Sequence, residues 1–154
     1  MQKTSRWVVG LLIMAALMSA CSKSSSKSPS EENPAAKVEQ IEGTDLTRVI
    51  LSVDAAKRLD VQTAPIREEQ VTRKGAAAPQ LRKIIPYAAV LYGVEGDAFV
   101  YTSPKPETFV RAPIKIDYIE GDRAILLDGP ASGTAVVTVG AAELFGTEFV
   151  FEEK

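Results

Sequence analysis

The sequence predicts a small all-β domain, an antiparallel β sandwich or partly open barrel, with one short helix near its start. Apolar and polar residues alternate with a period of two over residues 108–119, which is typical of a half-buried strand. Short β-branched and aromatic segments surround that stretch, and turns rich in Gly and Asp separate them. Residues 84–146 are therefore predicted to be the β domain.

Two hairpins are predicted inside this domain. Strands over 87–92 and 98–102 flank a turn with two glycines at 93–97. Gly121 and Asp122 occupy the positions that a two-residue type II′ turn favours, between the strand 108–119 and its partner 123–127.

Prolines and glycines set the remaining boundaries of the domain. Pro104 and Pro106 are expected to break the sheet, because neither can donate to a ladder. The last strand is predicted over 135–139. One helical turn, 141–145, is expected to end at Gly146, and 147–154 is expected to be an acidic tail.

Residues 46–83 are predicted to form a leading strand, helix and strand, followed by a linker. A strand is expected over 47–51, and Ser52 is a suitable N-cap for a short helix over 53–59. Extended chain returns at 61–66. The stretch 67–83 is charged and then rich in small residues, which fits a strand to Val71 followed by a loop.

The N-terminus has the pattern of a bacterial export signal. Lys3 and Arg6 precede an apolar stretch over 7–17, and small residues precede Cys21, the only cysteine. The apolar stretch is too short for an ordinary membrane span. The pattern resembles the lipobox, which implies that residues 1–20 are removed and that Cys21 is acylated, as in palmitate-bearing lipoproteins. An ordinary secretory signal and a transmembrane anchor are the alternatives.

Lipidation of Cys21 would place the protein in the bacterial cell envelope. The bilayer is then its first partner, and the folded part faces the periplasm or the cell exterior. Residues 21–45 are polar and poor in large apolar side chains, so they are expected to form a flexible tether between the lipid and the domain.

Composition argues against several classes of function. The chain has no His, and its three Met residues all lie within positions 1–20, so soft-metal ligands are lacking and neither a metal nor another cofactor is expected. Ser-His-Asp and Cys-His catalytic sets are excluded for the same reason, and we expect no enzyme. A hydrolase using two carboxylates is the enzymatic alternative. The net charge of −2 and the lack of a basic stripe argue against nucleic acid.

Several segments of the β domain occur in an order and spacing that resemble a known protein region. They are Ile85–Tyr92, Phe99–Tyr101, Phe109–Ile114, Glu120–Ala124, Asp128–Thr134 and Val136–Leu144. Together they resemble the C-terminal, membrane-proximal region of periplasmic adaptor subunits (membrane fusion proteins) of RND-type efflux pumps. Residues 50–66 are similar to the segment that precedes the core of those adaptors.

The resemblance implies a non-catalytic adaptor-like module that contacts an inner-membrane efflux transporter or a related envelope assembly. Full adaptors carry a long helical hairpin and a lipoyl-like domain between the two matching regions, whereas only 67–83 joins them here. Only the transporter-facing role therefore carries over. The resemblance is compatible with either a monomer or an oligomer. The alternative is a lipoprotein that binds small apolar ligands, which needs a concave apolar pocket.

Four residues are candidate contacts to a partner: Tyr87, Tyr92, Tyr101 and Arg111. Aromatic and arginine side chains are enriched in interface hot spots. The competing interpretations are core packing for at least one tyrosine and a solvated strand position for Arg111. Carboxylates at the predicted turns are explained by turn chemistry rather than by a calcium site; they are Glu95, Asp97, Glu120, Asp122 and Asp128.

Overall fold

The computed structural model describes residues 34–44 and 46–152, which form two antiparallel sheets of seven and four strands. The predicted all-β class is confirmed. The strands are β1 (Ala36–Gln40), β2 (Thr47–Leu51), β3 (Gln62–Pro65), β4 (Arg67–Val71), β5 (Gln80–Pro86), β6 (Leu91–Tyr92), β7 (Ala98–Lys105), β8 (Thr108–Pro113), β9 (Lys115–Glu120), β10 (Arg123–Asp128) and β11 (Ala135–Val139). The helices are α1 (Val53–Arg58) and α2 (Ala141–Glu152), and Tyr87–Ala89 forms a 3₁₀ turn.

The larger sheet has the strand order β1-β2-β8-β7-β11-β3, and the two-residue β6 also pairs with β7. The smaller sheet has the order β4-β5-β10-β9. The hairpin at Gly121-Asp122 is confirmed, since Glu120 pairs with Arg123 and Gly121 has a φ of 61°. That positive φ is what the first central residue of a type II′ turn requires.

The chain passes twice from the larger sheet to the smaller one through a single buried isoleucine. Ile66 joins β3 to β4, and Ile114 joins β8 to β9. The amide of Ile66 donates to the Thr134 carbonyl at 2.9 Å, and that of Ile114 to the Ala98 carbonyl at 3.0 Å. The prediction of one strand over 108–119 is therefore wrong. Ile114 enters the space between the sheets, and Pro113 before it cannot donate to a ladder.

Two apolar clusters lie on opposite faces of the larger sheet. The inter-sheet core fills the space between the two sheets and consists of Ile66, Ile85, Ala89, Val100, Ile114, Ala124, Leu126 and Val136. The helix-side core lies under α1 and α2 and consists of Val49, Leu51, Ala55, Phe99, Tyr101, Phe109, Val137, Ala141 and Leu144. The larger sheet is thus the middle of three layers.

Alternation along a strand explains how one sheet supplies both cores. In β7, Phe99 and Tyr101 point to the helices while Val100 points to the smaller sheet. In β11, Val137 and Val136 divide in the same way. Successive side chains of a strand point to opposite faces, so a strand with both faces buried has few polar residues.

Helix α1 forms where the sequence predicts it. The Ser52 side chain accepts a hydrogen bond from the Ala55 amide at 3.2 Å, which satisfies a helix donor that would otherwise lack a partner. Ala55 is buried against the larger sheet. A short helix is therefore present near the start, with the strands β2 and β3 on either side of it, but the longer helix of the fold, α2, lies near the end.

Helix α2 is longer than the predicted single turn. It continues through Gly146 to Glu152, so the predicted stop at Gly146 and the acidic tail over 147–154 are wrong up to residue 152. Ala141, Leu144 and Glu148 are buried, and their spacing of three and four places them on one helix face. Contacts of that face with the sheet continue the helix past a residue of low helix propensity.

The structure also corrects several local predictions. Residues 36–40 are not tether but strand β1, which pairs with β2 from Ala36↔Leu51 to Gln40↔Thr47. Residues 80–86, assigned largely to the linker, form the central strand β5. The predicted strand 87–92 is a 3₁₀ turn followed by β6, and β7 continues past Pro104 to Lys105. Cys21, the signal segment 1–20 and tether residues 21–33 lie outside the described residues.

Candidate functional site

Two of the four predicted partner contacts, Tyr87 and Tyr92, are exposed and lie beside the hairpin β6–β7. We call this surface the aromatic patch and define it as Tyr87, Tyr92 and Val94, whose exposed fractions are 40%, 49% and 90%. The amide of Tyr87 donates to the Asp122 carbonyl at 2.7 Å, which ties the 3₁₀ turn to the smaller sheet. Tyr92 pairs with Ala98, so it is held on the edge of the larger sheet.

The turn after Tyr92 holds Val94 outward. The Gly93 amide donates to the Asp97 carbonyl at 2.8 Å, and the turn passes through Gly96 with a φ of 85°. Partial burial and the neighbouring Tyr87 side chain raise the pKa of Tyr92. Half-exposed tyrosines present an apolar ring and a polar tip together, a combination that suits a protein interface.

The remaining two predicted contacts, Tyr101 and Arg111, lie instead beneath α2. The Tyr101 hydroxyl donates a hydrogen bond to Oε2 of Glu148, and Nη2 of Arg111 lies 3.1 Å from the same oxygen. Glu148 is 1% exposed. A carboxylate is rarely buried to this extent without a partner of opposite charge, and here it has both a cation and a hydroxyl donor. We call these three residues the buried charge cluster.

Aromatic rings enclose the guanidinium of Arg111. Its central carbon lies 4.6 Å from the Phe99 ring centroid and 5.3 Å from that of Phe145, within the range of cation–π attraction. Burial is the largest single influence and acts to lower the pKa of Arg111, but Glu148 and Tyr101 together outweigh it and the pKa is raised. Burial and the hydrogen bond to Glu148 raise the pKa of Tyr101. Arg111 therefore stays charged and Tyr101 stays neutral at neutral pH.

Two of the predicted contacts are therefore corrected. Tyr101 is completely buried, because α2 covers the face of β7 from which it projects, so it cannot be a surface contact. Arg111 is not the solvated strand residue that the alternative interpretation expected. Its side chain is one-quarter exposed and is bound to Glu148, so its charge serves the attachment of α2.

A pocket of about 250 Å³ lies on the outer face of the smaller sheet. One wall is the loop 72–79, and the floor comes from the ends of β4, β5 and β10 and from β9. The pocket is lined by Val71, Arg73, Ala76, Ala78, Gln80, Arg82, Asp117, Tyr118 and Leu127. Two arginines and an aspartate in so small a space do not favour a purely apolar ligand.

Three other features would indicate a function among the described residues: a metal site, a membrane-spanning helix or a carboxylate cluster. No group of three His, Cys, Asp or Glu residues among them is placed to hold a metal ion. Neither helix within 34–152 has the length and apolar character to cross a bilayer. The carboxylates predicted to lie at turns are in turns or at the strand ends beside them. Asp128, the last residue of β10, accepts a hydrogen bond from the Gly129 amide at 2.9 Å.

Comparisons with models of known families, with curated proteins and with solved structures give no match to this chain. The structure and the residues themselves therefore carry the functional argument.

Sequence reasoning missed Glu148 and the pocket. A signal for Glu148 exists, because it continues the buried spacing of Ala141 and Leu144 as a charged residue on an apolar helix face. No local signal identifies the pocket. Arg73 and Asp117 are separated by 44 positions, and only the pairing of β5, β10 and β9 brings their segments together.

Proposed function

We propose that this chain is a lipid-anchored, exported and non-catalytic adaptor-like module, which uses the aromatic patch to contact an inner-membrane efflux transporter or a related envelope assembly. The exposure of Tyr87, Tyr92 and Val94 together is the observation that carries the proposal. Isolated apolar side chains at a surface are common, whereas a grouped aromatic patch is typical of an interaction site.

The framework behind the patch supports this role. Tyr87 and Tyr92 are attached to both sheets through backbone hydrogen bonds, and Ala89, in the same 3₁₀ turn as Tyr87, is buried in the inter-sheet core. A rigid patch loses little conformational entropy on binding, which favours affinity. The segments that resemble the adaptor region include these patch residues.

Site-specific photocrosslinking in the bacterial envelope tests the proposal. A photoreactive amino acid at Tyr92 or Val94 is expected to give one main adduct in the membrane fraction, and its mass-spectrometric identity is expected to be a polytopic transporter subunit. The same amino acid at Val53, which is 53% exposed on α1, is the matched control and is expected to give none of this adduct.

Two further measurements separate contact from anchoring. Tyr87→Ala with Tyr92→Ala is expected to abolish the adduct at Val94 while the protein stays in the membrane fraction. Cys21→Ser is expected to release the protein from that fraction. Equal adducts from Val53 and Val94, or capture of soluble proteins alone, would contradict the transporter contact.

A further inference from the structure

We propose that the pocket on the smaller sheet binds a small amphiphilic carboxylate, with the arginines holding the acid group and the apolar part of the lining holding the rest of the ligand. This site is separate from the aromatic patch. Gln80 and Leu127 lie at one end of the smaller sheet, and Tyr87 follows Pro86 at the other. At about 3.3 Å per residue, the seven residues of β5 place Gln80 about 20 Å from Tyr87, while Tyr118, level with Ile84 across β10, lies nearer to Tyr87.

The charges around the pocket do not cancel. Asp117 is the only carboxylate in the lining, against the two guanidinium groups of Arg73 and Arg82. Nη1 of Arg73 donates to Oδ1 of Asp117 at 2.8 Å, while Nε of Arg82 lies 3.9 Å from Oδ2, too far for a hydrogen bond. The pocket therefore carries excess positive charge on a chain whose net charge is −2, and it favours an anion.

Contacts within the pocket restrain the two arginine side chains, but several of their N–H groups donate no hydrogen bond to the described residues. The Arg73 guanidinium lies 5.6 Å from the Tyr118 ring centroid, which restrains it by cation–π attraction. An arginine has five N–H donors, and among the described residues hydrogen bonds engage only Nη1 of Arg73. In Arg82, Nη2 donates to Gln80 and Nη1 donates to the Leu81 carbonyl at 3.3 Å. A planar carboxylate matches the donor geometry of these guanidinium groups.

Apolar side chains supply part of the pocket lining. Leu127 is 58% exposed, although it sits on β10 beside the fully buried Leu126, and the loop that carries Arg73 also adds the methyl groups of Ala76 and Ala78. Small side chains here leave open a volume that a longer one would fill. An anion that also carries an aromatic or short aliphatic group would cover Leu127 and gain from removing it from water.

Binding can be tested with benzoate as the probe and ¹⁵N-labelled full chain in mild detergent. Benzoate is expected to shift amide resonances in a saturable manner, confined to residues 71–82 and 117–127. Benzyl alcohol, which has a similar size and no charge, is expected to bind about five- to tenfold more weakly, because it lacks the charge-assisted hydrogen bonds. Inorganic phosphate, which lacks the apolar part, is also expected to bind more weakly than benzoate.

Single substitutions test separately the arginines, which are proposed to bind the acid group, and Leu127, which is proposed to contact the apolar part of the ligand. Arg82→Gln is expected to weaken benzoate about fivefold and Arg73→Gln about threefold, since Arg73 is the more exposed. Leu127→Ala is expected to weaken benzoate about threefold and to leave phosphate unchanged. Arg48→Gln is the matched control, because Arg48 is an exposed arginine on the larger sheet with its own carboxylate partner, Glu39.

Each contrary outcome overturns a stated part of the proposal. Shifts that do not saturate, or that Arg48→Gln reduces as much as Arg82→Gln does, exclude a site in this pocket. Equal binding of benzyl alcohol excludes recognition of the acid, and equal binding of phosphate excludes a contribution from the apolar part of the lining. The spectra also report directly whether each variant is folded. None of these results bears on photocrosslinking at Val94, so the two proposals fail or succeed separately.

Discussion

The two cores of this protein face each other across the larger sheet and are built by different means. The inter-sheet core is apolar throughout, and strands of both sheets supply it. The helix-side core also contains an ion pair, because Glu148 meets Arg111 and Tyr101 under α2. Apolar attraction has no preferred direction, whereas the charge-assisted hydrogen bonds of the ion pair require a defined geometry and so restrict the position of the helix. The difference suggests that burial holds the sheets together while charge fixes the register of α2.

The largest effect is expected in the inter-sheet core. Leu126→Ala removes a side chain that is 1% exposed, and the rigid sheets on either side cannot close the cavity, so we expect a loss of about 4 kcal/mol in the free energy of unfolding. Urea denaturation measures this loss. Leu127→Ala, one residue away and largely exposed, is the matched control and is expected to change stability by less than about 0.5 kcal/mol. A similar cost for both would contradict the assignment of the core.

The buried charge cluster is expected to give the next largest effect. Glu148→Ala leaves Arg111 partly buried without its carboxylate, which should cost about 3 kcal/mol of unfolding free energy. Glu143→Ala, on the exposed face of the same helix, is expected to cost almost nothing.

A double-mutant cycle separates the pair from the individual residues. Arg111→Met combined with Glu148→Leu is expected to recover much of the loss, since no charge is then left without a partner. Additive effects of the two substitutions would show that the ion pair does not couple α2 to β8.

The smallest effect concerns the Tyr101 hydroxyl and depends on pH. Tyr101→Phe removes the hydrogen bond to Glu148 and is expected to cost about 1 kcal/mol at pH 7. The pKa of Tyr101 is raised in the folded protein, so the folded state keeps its proton when the unfolded chain begins to lose it, at about pH 10. Stability from this group is therefore complete below that pH and falls as the pH rises above it.

Denaturation curves between pH 8 and pH 11 check this prediction. The wild-type free energy of unfolding should fall more steeply above about pH 10 than that of Tyr101→Phe, so the two curves should converge. Tyr118→Phe, outside the helix-side core, is the control and is expected to keep the steep decline. Parallel curves for the wild type and Tyr101→Phe would show that the hydroxyl is not enclosed.

The parts of the fold that could be predicted from the sequence are those set by interactions within a few residues. Local chemistry defines α1 and the hairpin at Gly121, because the Ser52 cap and the positive φ of Gly121 act within a few residues. The alternation over 108–119 placed Val110, Ala112, Ile114, Ile116 and Tyr118 on one side of a strand. Ala112, Ile114 and Ile116 do belong to or pack against the inter-sheet core, whereas Tyr118 lines the pocket on the outer face of the smaller sheet. The alternation could not show that the chain changes sheets at Ile114, because it continues across the crossing.

The features that were mispredicted depend on partners distant in the sequence. Tyr101 and Glu148 are 47 positions apart, and without that contact Gly146 looks like a helix end and Arg111 like a surface residue. Tyr87 and Tyr92 could be identified as candidates, because aromatic residues beside a tight turn have little chain available to cover them. The pocket could not, because its lining comes from the loop 72–79 and from strands that approach one another only in the smaller sheet.

The passages through Ile66 and Ile114 have a consequence for how the protein comes apart. Each isoleucine is the single residue between a strand of one sheet and a strand of the other, so neither sheet can separate without displacing its neighbour. Slow hydrogen exchange should consequently be lost from β5 and β11 in a single step, as in one cooperative unit. A partner that exerts force on the aromatic patch would then act on the whole domain, and would not unfold one edge strand by itself.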